Sequence, residues 1–78
     1  MTLSKIQKVA LIGLASAPRG EASAYELKHF TGHRISTATM WALSSRGLAG
    51  MISAPGNMAF PANAVWRITE AGRRAAES

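Results

Sequence analysis

The side chains in this chain that could do chemistry are cations, hydroxyls and a few aromatics, and they do not assemble into a catalytic set. The 78 residues include nine Lys or Arg, four Glu and two His, with no Asp and no Cys. The four Glu stand at caps and termini, so no carboxylate pair is spaced for general acid–base work. No Ser lies in a nucleophile-elbow pattern, and no Gly-rich loop matches a phosphate cradle. Without cysteine there is neither a disulfide framework nor a thiolate metal site. Glu26, His29 and His33 have a spacing that could gather on one helix face. Gly32 interrupts the helix between the two histidines, however, and no Asp or Cys completes a ligand set. A non-enzyme with no metal and no cofactor is therefore expected.

What remains is recognition. A net charge of +5 and a pI near 10.9 favour polyanionic partners, nucleic acid first among them. The informative stretch runs from His33 to Leu48. At a helical period, Ser36, Thr39, Met40 and Leu43 fall on one side, and Arg34, Thr37, Ala38, Trp41 and Ser45 on the other. A helix in the major groove needs groups that reach base edges, or small apolar groups that meet thymine methyls. Arg34, Ser36, Thr37, Ala38, Trp41 and Ser45 are the candidates for that role. Thr37 and Ala38 suit thymine methyls, and Arg34 suits a guanine or a phosphate. Lys28, His29, His33, Arg46, Arg67 and the start of the second helix could contact phosphates.

The same surface also suits a protein partner. Trp41 lies opposite Leu43 in helical phase, so a simple three-helix core does not bury it, and Met58 and Phe60 lie at a loop tip. The plainer alternative folds Trp41 down onto Leu48 and Phe60, with Ser and Thr merely solvating the helix.

These side chains need a scaffold. Seventy-eight residues make one domain, 1–78, near the lower size limit for folding without staples. Ser4 with Gln7 is a capping-box pattern, and the apolar face from Ile6 to Ala17 predicts a first helix over about 4–17. Leu11 and Ile12 lie off that face, which leaves them to be covered by the C-terminal segment or by a second subunit. Pro18-Arg19-Gly20 ends the helix. Ser23 and Glu26 open a second helix over about 23–31, with Ala24, Leu27, Phe30 and Thr31 facing inward. The third helix is expected over about 35–47, closed by Gly47. A hairpin follows over about 50–69, turning at Pro55-Gly56-Asn57. In its second strand Ala64, Trp66 and Ile68 alternate with Val65, Arg67 and Thr69. Thr69 can cap a short last helix over about 70–76. The fold class is mainly α with a small β-hairpin. The longest apolar run, Val9 to Ala15, is too short to span a bilayer, no leader pattern stands at the N-terminus, and the expected compartment is the cytoplasm.

Three segments carry a family resemblance. Ile12-Gly13-Leu14-Ala15 with Pro18 and Tyr25-Glu26-Leu27 forms one, and Leu43-Ser44-Ser45-Arg46-Gly47-Leu48 the second. The third is Trp66-Arg67-Ile68-Thr69-Glu70-Ala71-Gly72-Arg73. In order and spacing they resemble the winged helix-turn-helix repressors, most closely a truncated PadR-type transcriptional regulator. The resemblance implies three helices, a two-stranded wing and a short C-terminal helix. It implies binding to double-stranded DNA, with the third helix in the major groove and the wing on the backbone. A homodimer is expected because the first helix exposes Leu11 and Ile12 and because two half-sites give such a small reader its specificity. The competing expectation is a winged-helix interaction module, such as a phage or plasmid-encoded inhibitor or adaptor. That module would dock on a host or regulatory protein through Trp41, Met58 and Phe60, with Leu11 and Ile12 as further interface residues.

Overall fold

A computed structural model of the chain describes residues 2–53 and 64–77. Met58 and Phe60 lie outside the described residues. The described chain is mainly helical, with a small three-stranded antiparallel sheet. It runs α1 (Lys5–Ser16), a 3-10 turn (Pro18–Gly20), β1 (Glu21–Ser23), α2 (Ala24–Thr31), α3 (Thr37–Ser45), β2 (Ala49–Ser53), β3 (Val65–Ile68) and α4 (Glu70–Glu77).

Local side-chain chemistry starts each of the first three helices. Ser4 Oγ accepts from the Gln7 amide at 3.2 Å while Gln7 Oε1 accepts from the Ser4 amide at 3.0 Å. Ser23 and Glu26 make the same reciprocal pair at 3.1 Å in each direction. Both boxes satisfy donors that a helix leaves open at its first turn. Removing the second one, Ser23→Ala, should cost about 1 kcal/mol. A urea midpoint lowered with an unchanged slope would verify it, and an unmoved midpoint would show that α2 does not depend on the cap.

Ser36 caps α3, its Oγ accepting from the Thr39 amide at 3.2 Å. The helix consequently begins at Thr37, later than its periodicity predicts. Ile35 before the cap and Met40 four residues after it are both buried, the positions of a hydrophobic staple. At the other end the Leu48 amide donates to the Leu43 carbonyl and the Gly47 amide to the Ser44 carbonyl, each at 3.0 Å. With Gly47 at φ 72° this is a Schellman ending, and Leu43 and Leu48 are buried as its apolar pair. Thr69 then ties the last helix to that ending. Its Oγ1 donates to the Gly47 carbonyl at 2.7 Å and accepts from the Gly72 amide at 3.0 Å.

The sheet has the order β1-β3-β2, with β3 in the centre. Its alternation is the expected one: Ala64, Trp66 and Ile68 are buried and Arg67 is exposed. β1 is a finding that the sequence reading lacks, since it expects only a two-stranded hairpin. Glu21, Ala22 and Ser23 pair with Arg67, Trp66 and Val65. Three residues are too few for alternation to register, and the strand exists because β3 offers it an edge.

The core gathers around α1, which packs against α2, α3, α4 and β3. Leu11, Leu14, Leu27, Met40 and Leu43 are completely buried and Trp66 nearly so. Two expectations are corrected. Leu11 is not an exposed interface residue, because neighbouring elements surround α1, α4 among them. Phe30 does not face inward. It lies near the end of α2 and is 52% exposed, while Leu27 and Thr31 take the packing against Gly13 of α1. Ile12 remains 46% exposed, as expected of a side that α1 does not bury. Among the described residues no helix is long and apolar enough to cross a membrane.

Candidate nucleic-acid interface

α2 and α3 set the geometry of the exposed face. Between them Gly32 takes a left-handed conformation at φ 73° and ends α2. Thr31 Oγ1 donates to the Leu27 carbonyl at 2.7 Å and accepts from the His33 amide at 3.1 Å. The turn that carries His33 and Arg34 is thereby held by side-chain bonds on its α2 side.

Along α3 the outward stripe is the one that periodicity predicts. Ala38, Trp41 and Ser45 are exposed and Thr37 is half-buried, with Met40 and Leu43 on the buried side. The helix contains no charged residue. Two of its four hydroxyls, and that of its cap, are engaged locally. Ser36 Oγ caps the first turn and lies 3.1 Å from Thr39 Oγ1, and Ser45 Oγ donates to the Trp41 carbonyl at 3.0 Å. Ser36 is therefore an end-cap first, a role its exposure alone does not reveal.

Trp41 is 47% exposed, and among the described residues its ring meets that of Trp66. Its ring stands at 89° to that of Trp66 with centroids 5.1 Å apart, an edge-to-face pair. Trp66 is otherwise enclosed, and its Nε1 has no hydrogen-bond partner among the described residues. The indole of Trp41 is thus fixed on β3, with about half its surface left to solvent. The Phe60 half of the expected cluster lies outside the described residues.

The cations divide into two groups. Arg67 is tied: its Nε and Nη2 donate to Glu21 Oε2 at 3.1 and 2.6 Å, across the β1–β3 pair. Arg46 Nη1 donates to the Thr2 carbonyl at 3.1 Å. Lys28 and Arg34, by contrast, are exposed and have no hydrogen bond or ion pair among the described residues. They line one open cleft of about 400 Å³ together with Ala24, Tyr25, Ile35, Ser36 and Thr37. The start of α2 is a poorer phosphate site than expected, because the Glu26 carboxylate occupies its first turn.

The residue that sequence reasoning missed is Tyr25. It is 61% exposed and its ring packs edge-on against His29 at 4.8 Å, beside Lys28 in the cleft. The spacing of Tyr25, Lys28 and His29 on the face opposite Ala24 and Leu27 is the signal that could have found it. Exposed His33 also stands on the turn, next to Arg34. A second, apolar groove of about 250 Å³ lies between α1 and the end of α2, lined by Val9, Ile12, Gly13, Ser16, Phe30, Thr31 and His33.

The arrangement offers two cations and a phenol beside the start of an uncharged, solvent-facing helix. Compared with family models, curated proteins and solved structures, the chain gives no match.

Proposed function

We propose that this chain is a winged helix-turn-helix domain that binds double-stranded DNA as a homodimer, acting in the cytoplasm as a small transcriptional regulator. α3 enters the major groove, and the β2–β3 hairpin serves as the wing. The observation that carries this reading is the pairing of unpartnered Lys28 and Arg34 with an exposed α3 that bears no charge of its own. An α-helix with its side chains is about 10–12 Å across and suits a groove about 12 Å wide. Tyr25, Lys28 and Arg34 then meet the sugar–phosphate backbone at the groove edge, where such contacts set the register of the helix. Two copies supply two half-sites. Ile12 and Phe30 flank the apolar groove on α1 and α2, the surface where the second copy docks.

The test is fluorescence anisotropy of a labelled duplex titrated across salt. Lys28 and Arg34 from each of two copies neutralise four phosphates, giving a slope of about −3.6 in log K against log salt. Affinity should then fall ~150-fold between 50 and 200 mM salt, following that slope. A chain that binds no duplex at low salt would overturn the reading.

The half-exposed Trp41 favours a second reading, a protein-interaction module in which that indole anchors a host or regulatory partner. Under it Trp41→Ala abolishes partner capture and leaves any affinity for duplex DNA unchanged.

A further inference from the structure

We propose that α3 reads the C5-methyl groups of thymine, so that its preferred duplexes present thymines in register with Thr37, Ala38 and Trp41. The proposal rests on the DNA-binding reading above and names what the groove must contain. Bases are told apart in the major groove chiefly by bidentate Arg or Lys on guanine, Asn or Gln on adenine, and Asp or Glu on cytosine. α3 has none of these residues. Its flanking hydroxyls are engaged, Ser36 in the cap and Ser45 on the Trp41 carbonyl. Arg34 precedes the cap by two residues and lines the cleft with Lys28 and Tyr25, a placement suited to phosphate.

The groups left to face the bases are the methyl and hydroxyl of Thr37, the methyl of Ala38 and the open part of the Trp41 indole. The indole stands edge-to-face on Trp66, and its ring carbons offer an apolar surface. Thymine is the one base whose major-groove edge carries an apolar group. Opposite cytosine or guanine the Ala38 methyl and the indole face would strip water from a donor or acceptor and return no hydrogen bond, which the Thr37 hydroxyl alone could offer. Selection against G·C pairs therefore comes from Ala38 and Trp41, and selection for thymine from these two with the Thr37 methyl.

The experiment selects a preferred duplex from a randomised pool with the full chain, then replaces every thymine in it by deoxyuridine. Base pairing and phosphate number stay the same, and only the methyl groups are removed. Each lost methyl contact should weaken binding about fourfold, the loss of one buried methyl-sized group, and full replacement should weaken it tenfold or more. Thr37→Ser deletes one protein methyl and keeps the hydroxyl. It should weaken binding to the thymine duplex about threefold, slightly less than one methyl contact, and leave the deoxyuridine duplex unaffected. Equal binding of the two duplexes by the native chain would overturn the methyl reading and leave DNA binding standing. A chain that selects no duplex at low salt would overturn both.

Discussion

Gly72→Ala should remove between about a quarter and three quarters of the molecule's stability, although it replaces one small residue with another on a helix. A Cβ at that position would run into the Leu48 carbonyl oxygen and come within 2.7 Å of Ile68 Cγ1. The carbonyl cannot swing aside, because it accepts from the Thr69 amide at 3.1 Å and belongs to the segment that closes α3. Gly72 itself is held by its amide on Thr69 Oγ1. Both sides of the clash are therefore backbone. Overpacking of this kind costs about 3 kcal/mol, against roughly 4–12 kcal/mol of total stability for a domain of this size. The melting temperature should fall by about 12–24 °C. Helix propensity works in the other direction, since alanine is the better helix former by about 1 kcal/mol, so a measured loss isolates the packing. Gly50→Ala is the control: its Cβ meets nothing within 4 Å, and the melt should hardly move. Equal melts for the two variants would mean that α4 does not seat against the end of α3.

That junction shows which parts of the fold are legible in the residues themselves. The Ser4–Gln7 and Ser23–Glu26 boxes, the Gly47-Leu48 ending, the alternation from Ala64 to Ile68 and the Thr69 cap all depend on residues a few positions apart. Their chemistry can be read by eye for that reason. β1 cannot be, because its strand character comes from Val65, Trp66 and Arg67, more than forty positions away. The same distance hides the Glu21–Arg67 ion pair, which gives Arg67, expected at phosphates, a carboxylate partner. Leu11 misleads for a related reason. Helical phase reports which side of α1 is apolar but not how many neighbours will cover it. Trp41 is the intermediate case: its outward phase is legible, and its contact with Trp66 depends on where β3 passes. In the candidate site, the exposure of Lys28 follows from helical phase, and that of Arg34 from its place on the turn before the Ser36 cap. Their meeting in one cleft with Tyr25 depends on the angle that Gly32 and Thr31 impose between α2 and α3.

The cleft can be separated from the rest of the positive charge by comparing cations that differ in whether they have a partner. The double variant Lys28→Ala, Arg34→Ala removes two charges per copy from exposed side chains that make no hydrogen bond or ion pair among the described residues, so the thermal melt should shift by less than about 4 °C, the equivalent of about 0.5 kcal/mol. Duplex binding should weaken by about 1,000-fold or more near 100 mM salt, and most of the salt slope should vanish at about 0.9 per phosphate released. Each single variant should remove about half of the slope, at two phosphates per dimer. Arg67→Ala removes the same formal charge from a guanidinium already neutralised by Glu21. It should leave the slope within about half a unit of the native value and cost under about 1 kcal/mol of stability, since the pair is solvent-exposed. A general attraction between a +5 chain and a polyanion would instead lower the slope equally for Arg67, Lys28 and Arg34. The contrast between tied and untied cations therefore decides whether DNA is held at one built surface, where α3 can be placed in the groove, or by diffuse charge that could place nothing.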